Sequence, residues 1–301
     1  SNVRFGVNAG NSIASGGNQN TLIGDEAGTA ISTGDANTAV GYLALDLEDA
    51  HGYNTAIGHS ALTNLNAGAN ANNVALGYYT GFSTSTGIDN TFLGTASGAF
   101  CTTGDNNTFV GRKAGLGIDG AKLTGDGNTA VGKDAGLLLQ GAAANNTLIG
   151  ALSGDATTTG VRNTAVGDQS FSTNSTGDFN TAVGRSAMFG NTTADSNTAV
   201  GYEALYTNLI GTENVAVGKG AGAVTVGEKN TLIGALAGQT LGDSANNVAV
   251  GRGALAADRL GTKTTAIGFG ALSSQDFTTA TDTYNTAVGF NAGVAVTTGV
   301  Q

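Results

Sequence analysis

Two polar positions, two apolar positions and a Gly form a five-residue pattern, Asn-Thr-Ala-Val-Gly, that recurs from one end of the sequence to the other. The pattern occurs seventeen times; ten of its sixteen spacings are 17 residues, and the others run from 16 to 21. An internal repeat of this kind is typical of solenoids, in which each repeat forms one coil that stacks on the next. The copies begin at Asn2, Asn20, Asn37, Asn54, Asn73, Asn90, Asn107, Asn128, Asn146, Asn163, Asn180, Asn197, Asn214, Asn230, Asn247, Thr264 and Asn285.

The positions within one coil, counted from the Asn, predict its local structure. Position 2 is always Thr or Val and position 4 is always apolar, which favours a short strand. Position 5 is Gly in every copy, from Gly6 to Gly289, so we expect positive φ or a close backbone approach there. Stacked Asn residues at position 1 predict a ladder of side-chain amides. We expect a corner at the Gly, a second short strand or extended segment, and a returning turn.

Composition agrees with an all-β fold. The chain of 301 residues has 50 Gly, which argues against helices, while 40% hydrophobic and only 11% charged residues argue against disorder. We therefore predict one parallel β-solenoid, or β-roll, of about seventeen coils over residues 1–301. Because the array reaches nearly to both ends, we expect it to be a segment of a longer polypeptide, or to be capped by neighbouring subunits.

Alternation along the strand predicts which side chains face outward. If positions 2 and 4 point into the coil, position 3 points out, yet position 3 is apolar in sixteen of seventeen copies. A strand with two apolar faces is normally covered on both, so we predict a parallel homo-oligomer, most simply a side-by-side trimer; a monomer with an outward Ala row is the alternative. The predicted interface residues are Ala39, Ala56, Ala75, Phe92, Phe109, Ala130, Ala165, Ala182, Ala199 and Ala216.

Several stretches resemble a known family. The runs NVALG at Asn73, NVAVG at Asn214 and Asn247, and TAVGFNAG near Asn285 resemble the head repeats of trimeric autotransporter adhesins, although that family's repeat is a few residues shorter. The longer frame T-G-x-x-N-T-A-V-G-x-x-A-L is similar to repeat arrays of phage tail fibres and large bacterial surface proteins. The resemblance implies a left-handed parallel β-roll of three chains that serves attachment and display outside the cell, on a cell surface or a virion.

Little in the sequence indicates catalysis or a cofactor. The formal charge is −10, and the 12 Lys and Arg residues form no cluster in the sequence, which argues against nucleic-acid and anionic-membrane partners. No apolar run approaches the roughly 20 residues of a membrane span. Cys101 is the single cysteine, and no nucleophile motif or phosphate loop is present. His51 and His59 might suggest a metal pair, but no Cys or carboxylate cluster joins them with ligand spacing, and His59 is expected in solvent. We predict no enzyme activity, no cofactor and no metal site.

Two periodic features leave alternatives open. The T-G-D segments at Asp35, Asp105, Asp126 and Asp178 could hold calcium between coils, but their intermittent occurrence favours turn capping. The Thr column could order water as in an ice-binding protein, an interpretation that fails if the Thr side chains face the coil interior.

Variable positions and insertions are where solenoids carry binding functions. Position 6 varies freely, and two coils carry four extra residues each, although these insertions could merely be tolerated. We expect contacts with a glycan or another surface protein there. The candidates are Tyr42, Tyr78, Tyr202, Phe269 and Phe290 at position 6, Asp119 and Lys122 in the first insertion, and Asp276 and Tyr284 in the second.

The predicted function is a surface-displayed fibre or adhesin-head segment that mediates attachment. A self-polymerising extracellular filament without a dedicated receptor is the alternative, and an ice- or mineral-binding surface is a third.

Overall fold

The computed structural model describes residues 1–300, which contain strands, turns and bends but no helix. The fold is an all-β parallel solenoid of about seventeen coils with a 17-residue period, as the repeat predicts. The chain forms two compact units, one over Ser1–Leu152 and one that begins at Ser153. Because both units are built from the same coil, the same local rules apply to each.

Every coil contributes one three-residue strand at positions 2 to 4. The first unit contains β1 Val3–Phe5, β2 Thr21–Ile23, β3 Thr38–Val40, β4 Thr55–Ile57, β5 Val74–Leu76, β6 Thr91–Leu93, β7 Thr108–Val110, β8 Thr129–Val131 and β9 Thr147–Ile149. The second contains β10 Thr164–Val166, β11 Thr181–Val183, β12 Thr198–Val200, β13 Val215–Val217, β14 Thr231–Ile233, β15 Val248–Val250, β16 Gly261–Thr262, β17 Thr265–Ile267, β18 Thr281–Asp282 and β19 Thr286–Val288.

The strands pair in parallel and in strict register, so that like positions stack. In β3 and β4, for example, Thr38 lies opposite Thr55 and Ala39 opposite Ala56. In the first unit each strand from β1 to β9 pairs with the next. In the second unit the strands pair in the order β10, β11, β12, β13, β14, β15, β17 and β19. Strands β16 and β18 form a separate two-stranded parallel sheet in the widened last coils.

The second side of most coils is a series of tight turns, so the expected second strand is wrong there. Alternate residues adopt left-handed backbone, as Leu43 (φ 54°) and Leu45 (φ 53°) do. This geometry aims alternate N–H groups at the neighbouring coil; the Leu45 N–H donates to the Ala61 carbonyl at 2.9 Å. Position 9 has positive φ, as at Gly28 (58°) and Leu45 (53°), a conformation that costs a residue with a side chain roughly 1–2 kcal/mol.

The strand faces in the opposite direction from the one predicted. Position 3 lies inside the coil, while positions 2 and 4 are partly or largely exposed, as the burial of Thr38, Ala39 and Val40 illustrates. The interior between the strand and the turns is narrow, so a small residue fits it and two branched side chains per strand do not. The predicted oligomer interface is therefore wrong: its residues are 0% exposed within the single chain. They are Ala39, Ala56, Ala75, Phe92, Phe109, Ala130, Ala165, Ala182, Ala199 and Ala216.

The invariant Gly forms the corner after each strand for both of the expected reasons. Gly41 has φ 134°, a conformation open to residues without a side chain. A Cβ atom on Gly41 would also lie 2.5 Å from the carbonyl oxygen of Gly58 in the next coil. The corner thus brings successive coils into direct backbone contact, which excludes every other residue.

The predicted Asn ladder is present, and its residues from Asn20 to Asn247 are buried. The backbone N–H of Asn90 donates to Oδ1 of Asn73 at 2.9 Å, and Asn90 Nδ2 donates to the carbonyl of Gly104 at 2.9 Å. Each amide thus joins the strand to the returning turn and to a neighbouring coil. The ladder satisfies polar groups that would otherwise be buried without partners.

Candidate functional site

The position-6 side chains follow the Gly corner and point outward. All five residues predicted there as surface contacts are exposed, by 38–74%. They are Tyr42, Tyr78, Tyr202, Phe269 and Phe290. Their accessibility agrees with the prediction, and the register places position-6 residues of successive coils side by side.

Five aromatic rings form one continuous cluster in the first unit, in which Tyr42, His59 and Tyr78 are exposed and Tyr79 and Phe82 are half-buried. Ring centroids are 5.1 Å apart for Tyr42 and His59, and 5.3 Å for His59 and Tyr78. Tyr79 follows Tyr78 at 5.7 Å and stacks on Phe82 at 4.0 Å. Sequence reasoning identified the two position-6 tyrosines and the exposure of His59, but not that the rings touch. The shared position 6 was the available signal.

A second row, at position 6 of the coils in the second unit, contains cations and aromatic rings, with Ala235 between Lys219 and Arg252. Arg185 and Lys219 each lie 5.8 Å from the centre of the Tyr202 ring, one from either side of it along the column. The neighbouring Glu203 carboxylate raises the pKa of the Tyr202 hydroxyl. The tyrosine ring lies between two cations.

The same row continues in the last coils of that unit. Arg252 lies 5.5 Å from the centre of the Phe269 ring, and Phe269 stacks on Phe290 at 5.2 Å. The sequence indicated the rings at positions 202, 269 and 290 but not the neighbouring cations, because residues about 17 apart become neighbours only when the coils stack.

The first insertion is only partly a surface loop. Asp119 and Lys122 are exposed and form a long ion pair of 4.0 Å, worth little in water. The following residue, Leu123, is fully buried and bridges to Cys101 and Gly141 in adjacent coils. The insertion thus both presents a charged tip and completes the core.

The second insertion is anchored by ion pairs. Asp276 accepts two hydrogen bonds from the Arg259 guanidinium, each of 2.8 Å, which lowers the pKa of the Asp276 carboxyl. Tyr284 lies under Lys263, whose ammonium is 5.1 Å from its ring centre. Both predicted contact residues are therefore engaged within the chain, although Tyr284 remains exposed.

Glu48, Asp49 and His51 form one group that sequence reasoning missed. A carboxylate oxygen or ring nitrogen from each lies within 4.8 Å of the others, a set of donors that suits a transition metal. The buried Glu48 carboxylate also accepts hydrogen bonds from the backbone N–H groups of His51 (3.2 Å) and Ala67 (3.3 Å). Through these two hydrogen bonds, the Glu48 carboxylate caps a turn.

The T-G-D aspartates cap turns, as expected. Oδ1 of Asp105 accepts the backbone N–H of Ile88 at 2.8 Å, and Oδ1 of Asp178 accepts that of Val161 at 2.7 Å. Each of these carboxylates joins its coil to the preceding one, and the other two residues act in the same way. These are Asp35 and Asp126.

Two further features point away from a reactive site. Burial raises the pKa of Cys101 to about 12, so its thiol is protonated and inert near neutral pH. A cavity of about 500 Å³ in the last coils is lined by core positions such as Leu272, Ala287 and Val296. It is a continuation of the solenoid interior.

No helix long and apolar enough to cross a membrane lies within residues 1–300.

Comparison of the chain with protein-family models, with curated proteins and with solved structures gave no match.

Proposed function

We propose that this chain is a structural segment of a surface-displayed fibre or adhesin head, in which parallel copies pack side by side, most simply as a homotrimer. The observation that carries the proposal is the outward face of the strands at positions 2 and 4, called here the strand face. Its branched aliphatic side chains are exposed to solvent in a single chain. Leu76, Ile233 and Ile267, for example, are 48%, 39% and 38% exposed. Regular apolar rows of this kind mark interaction surfaces.

A parallel copy of the same chain is the partner that fits this face best. The rows recur at the spacing of parallel strands, about 4.8 Å, and another copy has the same spacing. Three copies related by a three-fold axis could direct all their strand faces at one another and close the assembly. In this proposal positions 2 and 4 form the trimer interface, and position 3, which is buried within each chain, does not.

If the strand face is covered by sister chains, the remaining surfaces of the assembly are available for attachment. Position 6 lies beyond the Gly corner, so its aromatic and charged side chains would border a covered strand face and stay accessible. The resemblance to adhesin-head and tail-fibre repeats supports display on a cell surface or virion, and extracellular location is part of the proposal.

Sedimentation and mass photometry test the assembly. We expect particles of three 29.4 kDa chains for the wild type. The double variant Val183→Lys with Val200→Lys places two charges on the strand face and should yield monomers, because buried unpaired charges are strongly unfavourable. The control Ala151→Lys with Ala235→Lys adds the same charge at position 6 and should remain trimeric. A wild type that stays monomeric at every concentration would contradict the proposal.

The filament alternative differs in the direction of growth. End-to-end stacking would produce particles whose length increases with concentration, whereas side-by-side packing produces particles of one length. Negative-stain electron microscopy over a concentration series distinguishes the two outcomes.

Ice binding is the second candidate function, and one observation favours it. Thr occupies thirteen of the seventeen second positions. These side chains face outward and not into the coil interior, as an ice-binding surface requires. Each hydroxyl can donate and accept hydrogen bonds with ordered water. A strand face covered by sister chains cannot contact ice. Inhibition of ice recrystallisation by a monomeric protein, lost in Thr181→Lys with Thr198→Lys, would favour this function over the fibre.

A further inference from the structure

We propose that one row of position-6 residues in the second unit binds an acidic polysaccharide, one that carries a carboxylate or sulfate group on alternate sugars. This inference rests on the proposed surface-displayed role, because such polymers are met outside cells. We call these residues the cation–aromatic row. The row consists of Arg185, Tyr202, Lys219, Arg252, Phe269 and Phe290.

The spacing of the row follows from the solenoid. Its residues occupy position 6 of the coils from Arg185 to Phe290, with Ala235 between Lys219 and Arg252. Parallel strands of neighbouring coils are about 4.8 Å apart. Arg185 and Lys219 are two coils apart, as are Lys219 and Arg252. The three cations are therefore spaced by roughly 10 Å along one line. An extended polysaccharide with an acid group on alternate sugars has its charges at a comparable interval.

The charge of the row differs from that of the whole protein. The chain carries 22 acidic and 12 basic residues, yet within residues 1–300 no carboxylate oxygen lies within 4 Å of the charged nitrogens of Lys219 or Arg252. At one end of the row, Arg185 forms an ion pair with Asp168, with its Nε atom 3.7 Å from Asp168 Oδ2. Because all three cations are exposed, an acidic ligand would find two uncompensated positive charges on a surface that otherwise repels it.

The aromatic rings supply the second half of the recognition. Tyr202 lies between Arg185 and Lys219, and Phe269 lies between Arg252 and Phe290. Exposed aromatic rings offer apolar faces on which the C–H face of a sugar can pack, while the neighbouring cations bind its acid group.

Nucleic acid fits the row less well than a polysaccharide. A single strand presents a charge about every 3.4 Å, and its binding requires closely spaced cations that replace counterions. The row provides one cation about every 10 Å on an acidic protein. A sparsely charged polymer matches this density.

Biolayer interferometry of the full chain on immobilised polymers tests the inference. The probes are hyaluronate, which carries a carboxylate on alternate sugars, chondroitin sulfate, which adds sulfate, and neutral dextran. We expect binding to one or both acidic polymers, weakened by salt, and none to dextran. Comparing the two acidic probes shows whether carboxylate suffices or sulfate is required.

Paired variants separate the row from the general charge. Lys219→Gln with Arg252→Gln should weaken binding about tenfold or more, because charges that meet a ligand directly are lost. Lys229→Gln with Lys263→Gln removes the same charge from ion-paired lysines outside the row and should change affinity less than about twofold. Tyr202→Ala should weaken binding, and Tyr202→Phe should retain it.

Three results would overturn the inference: equal binding to dextran, tighter binding to an oligothymidylate than to either acidic polysaccharide, or equal affinities for the wild type and both double variants. The oligomeric state of the same sample keeps the two proposals apart. A trimer that binds neither acidic polymer refutes the polysaccharide site alone. A monomer that binds through the row refutes the packed assembly alone.

Discussion

The ring of Phe92 fills the space that a side chain on Gly98 would need: a Cβ atom built on Gly98 would lie 2.7 Å from Cδ1 of Phe92. These residues are positions 3 and 9 of one coil and face each other across its interior. In all five coils with Phe or Leu at position 3, position 9 is Gly. In seven of the eleven coils with Ala at position 3, a larger side chain fills position 9, as Leu45 does opposite Ala39. The coil thus keeps its core volume by exchange between two positions.

This exchange predicts a large loss of stability for Gly98→Ala. Gly98 has φ +60°, and its new Cβ would overlap a fully buried ring that stacks on Phe109. Overpacking costs about 1–3 kcal/mol, in addition to roughly 1 kcal/mol for positive φ. Urea denaturation measures the free energy of unfolding.

The control is Gly253→Ala, at φ +65° with no atom within 4 Å of the new Cβ, which should lose only the backbone term. The exchange Phe92→Ala with Gly98→Leu reproduces the pairing seen in other coils and should be more stable than Gly98→Leu alone. Equal stability for Gly98→Ala and Gly253→Ala would refute the volume argument.

Removal of one amide from the Asn ladder should destabilise the first unit. Asn107 Oδ1 accepts the backbone N–H of Asn128 at 2.9 Å, and its Nδ2 donates to the Gly125 carbonyl at 3.2 Å. Asn107→Ala leaves both groups buried without these partners, at about 1–3 kcal/mol each. Denaturation and amide hydrogen exchange of Asn128 report the loss. The exposed Asn11 is the matched site, and Asn11→Ala should change stability by less than about 0.5 kcal/mol.

Cys101 should resist alkylation in the folded protein. Its thiol is fully buried and its pKa is raised to about 12, first by desolvation, so almost no thiolate exists at pH 8. Iodoacetamide should modify it only after denaturation, as mass spectrometry can follow. Rapid modification of the native chain would show that the coil around Cys101 opens easily.

The second insertion should loosen at acidic pH. The Arg259 guanidinium lowers the pKa of Asp276 in the folded chain, so this ion pair stabilises the insertion fully above the ordinary carboxyl pKa of about 4. Its contribution is lost as the pH falls through the lowered folded value. Hydrogen exchange over residues 275–284, corrected for intrinsic rates, should rise in acid. In Asp276→Asn the protection should depend less on pH in this range than in the wild type; an unchanged pH dependence would contradict the assignment.

For the candidate surfaces, the sequence indicated the position but not the contacts. The variability of position 6 was sufficient to predict that Tyr202 is exposed, since variable positions in a repeat face solvent. It did not show that Arg185 and Lys219 flank that ring, because residues 17 apart become neighbours only when coils stack in register.

The sequence by itself determined the period, the strand positions, the Gly corner and the Asn ladder, because each is a local requirement repeated in every coil. Only the tertiary structure decided that Ala39 faces inward while Thr38 and Val40 face outward. Alternation defines two faces of a strand without stating which is inside. The narrow space between the strand and the turns makes that choice, since it accepts a methyl group, or one large side chain opposite a Gly.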